Sequence, residues 1–139
     1  MPKEIEYLNP DGACPAQGLY SHATRVPAGA PLIFVAGQLA VGANGEIVGK
    51  GDFAAQFAQV FKNMAAVLKG LECNFNDVIK FTTYLVHSQD IEVFMEQRSA
   101  LFPKLFRGER YPPNTLVMID RLVKEEFLIE VEAVVRGRD

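Results

Sequence analysis

The longest regular pattern in the chain runs from Phe53 to Leu71. Phe53, Phe57, Val60, Phe61, Met64, Val67, Leu68 and Leu71 recur at three- and four-residue spacing, while Gln56, Gln59, Lys62, Asn63 and Lys69 fall elsewhere on the wheel. This spacing predicts one amphipathic helix. Asp52 is suited to cap it, because its carboxylate can accept from the first free backbone N–H groups. Gly70 closes it. The stripe of aromatic residues and methionine reads as core packing rather than a cofactor site. A second helix is predicted after Ser88 or Asp90, with Phe94, Met95, Arg98, Leu101 and Phe102 toward the core and Pro103 ending or kinking it.

The remaining apolar runs are short and predict strands. Ile5–Leu8 alternates and stops at the turn cluster Asn9-Pro10-Asp11-Gly12. Leu19–Val26 is a second candidate, followed by the turn at 27–31. Leu32–Ala36 is continuously apolar, which predicts a central strand covered on both faces. Gly42-Ala43-Asn44-Gly45 predicts a tight reversal before Glu46-Ile47-Val48. After a turn at Asn74–Asp77, Val78–Val86 is β-branched and aromatic. Thr115–Ile119 and Phe127–Val135 complete the set. The order β-β-β-α-β-α-β-β is an α+β arrangement, read as a six-stranded sheet with both helices on one face. The other face carries Leu128 and Val134 beside Glu130. A mixed patch of this kind predicts a homo-oligomer whose sheets face each other, with polar clefts between subunits.

Composition narrows the possibilities further. A length of 139 residues predicts one domain spanning 1–139, large enough to bury a core without disulfides or metal. Cys14 and Cys73 are too few for a disulfide framework, and neither has a second ligand at metal-binding spacing. No apolar run is long enough to span a bilayer, and the stretch Met1–Glu6 has no apolar signal segment, so a cytoplasmic location is expected. The formal charge is −3. The densest basic run, Arg107-Gly108-Glu109-Arg110, is interrupted by an acid, which argues against nucleic-acid binding.

Candidate chemistry lies on the last strand. Ile129, Val131, Ala133 and Val135 point one way, and Leu128, Glu130, Glu132 and Val134 the other. A carboxylate amid aliphatic side chains is costly unless a partner, water or ligand satisfies it. Glu130 is therefore either a group that orients a reacting water or a partner for backbone N–H groups or an intersubunit ion pair. Glu132 lies about 6.5–7 Å along the same face and reads as a solvated or subunit-contact charge. His22 and His87 have no visible partner and read as ordinary surface or strand-end residues.

Several strings resemble the RidA/YjgF family of small trimeric proteins, which includes the L-PSP-like reactive-intermediate deaminases. They are Gly18-Leu19-Tyr20-Ser21, Leu32-Ile33-Phe34-Val35-Ala36-Gly37-Gln38, Asn63–Leu68, Asp77–Leu85 and Ile129-Glu130-Val131-Glu132-Ala133. The resemblance covers almost the whole chain in order. It implies a chorismate-mutase-like fold with a mixed sheet, a homotrimer, and small-molecule clefts between subunits. Family members of the deaminase type hydrolyse enamines and imines released by pyridoxal-phosphate enzymes, giving a 2-keto acid and ammonia without cofactor or metal. The resemblance assigns Glu130 and Tyr20 as catalytic groups. It places Asn114, Thr115, Leu116, Gly37, Gln38 and Glu96 at or near the ligand.

Two departures bear on the substrate. The family carries arginine where this chain has Asn114, in Pro112-Pro113-Asn114-Thr115. A guanidinium grips a carboxylate through two charge-assisted hydrogen bonds; an amide offers only neutral ones. Glu96 stands where such members often have a neutral amide, and would repel an anion. The expected function is a hydrolase acting at a C=N or enamine centre, with its substrate shifted because Asn114 replaces arginine. A non-catalytic trimer binding a small metabolite is the alternative, and an endoribonuclease or translation inhibitor is third. Arg25, Arg98, Arg110 and Arg121 are the cations that could act from another direction.

Overall fold

In the computed structural model, eight main elements form in the predicted order: β1 (Glu6–Leu8), β2 (Ala23–Arg25), β3 (Leu32–Gln38), α1 (Phe53–Gly70), β4 (Val78–Leu85), α2 (Asp90–Leu105), β5 (Asn114–Met118) and β6 (Ile129–Arg136). The structure describes residues 4–138. Residues 1–3, part of the stretch read above as lacking a signal segment, and residue 139 lie outside them. No helix among the described residues is long and apolar enough to cross a membrane.

The six strands do not form one sheet, which corrects the strand count expected above. β1 and β2 pair antiparallel as a separate ribbon. The other four follow the order β3-β6-β4-β5, with β4 and β5 parallel and the remaining pairs antiparallel. The ribbon is tied to β4 by side chains. The hydroxyl of Tyr7 donates to the Val78 carbonyl at 2.7 Å, and that of Thr24 to the Ile79 carbonyl at 2.7 Å. Side-chain hydroxyls thus satisfy backbone acceptors where no strand ladder reaches them. Glu46-Ile47-Val48 does not form a strand; a single bridge joins Val41 to Ile47.

β3 is also not the central strand that its apolar run predicted. It is an edge strand of the main sheet. Val35 faces the helices and is buried, while Leu32 and Phe34 are 51% and 75% exposed on the opposite face. Among the described residues, Leu32 and Phe34 are left uncovered on that face.

α1 buries the predicted stripe and is capped by Asp52, which accepts from the Ala55 N–H at 3.0 Å. Gln56 departs from the wheel: it is fully buried. Its amide donates to the carbonyls of Gly49 (3.1 Å) and Glu126 (2.8 Å) and accepts from the Leu128 N–H (2.8 Å). These bonds fix the chain entering β6. α2 starts after Gln89 with no side-chain cap, so neither Ser88 nor Asp90 caps it. Pro103 lies inside the helix, which continues to Leu105. So near the helix end, proline removes little of the hydrogen-bond ladder. Phe61, Phe81, Phe102 and Phe106 interlock beneath the helices, with Phe61–Phe102 centroids 5.5 Å apart and Phe102–Phe106 centroids 5.1 Å apart. This ring cluster seats α2 firmly against the sheet.

Candidate functional site

The alternation of β6 puts Ile129, Val131, Ala133 and Val135 under the helices and Glu130 and Glu132 on the open face. There, a cavity of about 410 Å³ is lined by Gly37, Tyr84, Ile119, Arg121, Glu130 and Glu132, among others. The two carboxylates have different surroundings. Tyr84 donates its hydroxyl to Oε1 of Glu132. That bond pushes the tyrosine's own pKa up and commits Glu132 to a structural contact. Glu130 makes no side-chain hydrogen bond among the described residues. Desolvation, and then the charge of Glu132, push its pKa above the ordinary carboxylate value. Gly37 makes room for it: a Cβ there would collide with the Glu130 carboxylate. Arg121 does not reach in to pair with Glu130. It donates from Nε to the Leu122 carbonyl at 3.1 Å and lies 3.8 Å from Glu125.

A second cavity, of about 350 Å³, gathers Tyr20, Ser21, His22, Lys80, Asn114 and Thr115. The Thr83 hydroxyl donates to Asn114 Oδ1 at 2.8 Å, which leaves the amide's own N–H groups for another acceptor. The Tyr20 hydroxyl accepts from the Gln17 N–H at 3.0 Å. His22 Nε2 donates to the Cys14 carbonyl at 2.6 Å, which commits that nitrogen to a backbone contact. Ser21 is buried and its hydroxyl is unpaired.

The predicted residues therefore fall into two groups. Asn114 pairs with Phe81, whereas Glu130 pairs with Tyr84, three residues further along β4. An odd separation places them on opposite faces, and the offset along the strand is about 10 Å. Tyr20, Asn114 and Thr115 belong to one cavity, and Gly37 and Glu130 to the other. Leu116 is half-buried beside Thr83 on β5. Gln38 turns its amide to the carbonyl of Ala36 at 3.0 Å. Glu96 is exposed on α2 and lines neither cavity. Among the described residues, no group of three or more His, Cys, Asp or Glu side chains could hold a metal ion. Sequence reasoning missed Tyr84 as the partner of Glu132, although its place on alternate positions of β4 was a usable signal.

The family described as endoribonuclease L-PSP, which contains the RidA/YjgF proteins, matches residues 12–136. The chain belongs to the RidA/YjgF family. A RutC family protein of Pyrococcus abyssi is 39% identical over 118 residues, covering 84% of this chain and 85% of that relative. The human 2-iminobutanoate/2-iminopropanoate deaminase is 30% identical over 120 residues, covering 86% and 80%. The crystal structure of a Rid family protein from Yersinia pestis superposes with a TM-score of 0.83 at 31% identity, covering 96% of this chain and 98% of that one. The RidA/YjgF fold is thus the fold of this chain, and the family includes deaminases of imines.

Proposed function

We propose that this RidA/YjgF protein is a cytoplasmic homotrimer that hydrolyses an imine or enamine in clefts between its subunits, releasing ammonia and a carbonyl compound. The observation that carries the proposal is the unequal treatment of two neighbouring carboxylates. Tyr84 holds Glu132, while Glu130 stands free over Gly37 with its pKa raised toward the range useful to a general base. In the proposed step, Glu130 accepts a proton from water as its oxygen attacks the C=N carbon. Proton return to nitrogen gives an amino alcohol; transfer of its hydroxyl proton to the same nitrogen, again through Glu130, forms the C=O bond as the C–N bond breaks, so imine and water become carbonyl and ammonia.

The trimer rests on the open face and on the division of the site. Phe34 and Leu32 are 75% and 51% exposed on this face, an apolar surface suited to a second copy. A ligand touching both Glu130 and the Tyr20–Asn114 group needs parts of two subunits, because one subunit turns them to opposite faces. The substrate's carboxylate, where it has one, meets an amide rather than a permanent cation at position 114.

Generating 2-imino acids with an amino-acid oxidase and following keto acid and ammonia tests the proposal. Faster release with this protein than in buffer supports it. No acceleration, with an active family member as positive control, removes this substrate class. The neutral Asn114, held by Thr83, favours a second reading in which the cleft binds a metabolite without turnover. Ligand-induced thermal stabilisation with no product would then be seen. The charge of −3 disfavours the ribonuclease reading; cleavage of RNA abolished by Glu130→Gln would reverse that order.

A further inference from the structure

Arg98 on α2 is 3% exposed, and the ion pairs among the described residues include none to it. Its Nε has no hydrogen-bond partner, and Nη2 has only the Met95 thioether, at 3.1 Å. A buried cation without an anion is costly to keep. Two aromatic rings offset part of that cost: the guanidinium carbon stands 5.0 Å from the Phe94 centroid and 5.8 Å from that of Tyr20. Gly18 is shaped to the same group, since a Cβ there would collide with Nη2. Tyr20 is the shared wall. It packs on Arg98 and also lines the cavity that holds Asn114 and the unpaired hydroxyl of Ser21.

We infer that Arg98 is the anion-binding group of this cavity, taking the carboxylate of a small 2-imino or 2-keto acid once the Tyr20 ring turns aside. This rests on the proposed function for the choice of ligand, and it restores a fixed cation to a site where position 114 supplies an amide. A guanidinium with an uncommitted Nε can offer the paired N–H donors that a carboxylate accepts.

Binding of pyruvate and of its uncharged ester, methyl pyruvate, to the full-length protein tests the inference. Wild type should prefer pyruvate by roughly ten-fold or more. Arg98→Met should lose that preference while binding the ester as before, and Arg98→Lys should retain part of it. Nitrogen-15 NMR of the wild-type protein provides a readout that needs no variant: the Arg98 Nε–H signal should move with pyruvate and stay still with the ester. Three results would each overturn the inference: equal binding of the two ligands, an unmoved Arg98 signal, or a folded Arg98→Met protein with undiminished pyruvate affinity. Binding that depends on Arg98 without imine turnover would leave this inference standing and remove the catalytic proposal. Turnover that ignores Arg98 would do the reverse.

Discussion

Gly37 on β3 and Glu130 on β6 are made for each other: the carboxylate occupies the space that a side chain at 37 would take. Gly37→Ala should leave the fold intact, because the obstructed group is the end of a flexible side chain. It should displace the proposed base and lower kcat about ten-fold or more, since small misplacements of a reacting group are expensive. Turnover assays paired with thermal melts check this. Unchanged kcat would detach Glu130 from the chemistry.

Glu130→Gln should reduce imine hydrolysis by about 10²–10⁴-fold if the carboxylate is the general base. Its effect on stability has the opposite direction. Glu130 holds its proton more firmly in the folded chain than an ordinary glutamate does. Its contribution is therefore fully present below the ordinary value of about 4.3 and is lost as pH rises through the folded value. The variant should melt above wild type at pH 7, and the two should converge below about pH 4. Melting curves across that range decide it; a variant less stable at pH 7 would contradict the burial of a charged carboxylate.

Gln56→Leu should destabilise the protein by about 2–4 kcal/mol, because it strands the Leu128 N–H and the carbonyls of Gly49 and Glu126 near the start of β6. Denaturant unfolding measures it. A cost below about 1 kcal/mol would mean that water replaces the amide.

Much of this molecule was legible in its sequence. The stripe from Phe53 to Leu68 and the cap at Asp52 are local properties of one helix, and both appear. Gln56 was misplaced because a polar side chain on a wheel looks solvated until distant backbone groups come to meet it. The strands were found, but their grouping was not. The β1–β2 ribbon is held by hydroxyl bonds from Tyr7 and Thr24 to residues 71 and 55 positions away. The run Leu32–Ala36 signals burial on two faces, and it is the same signal whether the second cover comes from this chain or another. Glu130 was visible as a charge in an aliphatic strand. The isolation of Arg98 was not visible, since spacing cannot show that a cation lacks a partner.

Phe34→Asp should dissociate the proposed trimer, because it sets a charge at the most exposed large apolar side chain of the open face. Light scattering should show the mass falling to a third of the wild-type value, with activity lost and secondary structure retained. A wild-type protein already monomeric would remove the assembly.

The most direct measurement mixes two inactive proteins. Tyr20→Ala and Glu130→Gln are unfolded together in equal amounts, refolded, and assayed for imine hydrolysis. If each cleft takes Tyr20 from one subunit and Glu130 from its neighbour, random trimers rebuild roughly a quarter of the clefts intact, and activity returns to that level. A mixture no more active than its parents would contradict a site shared between subunits.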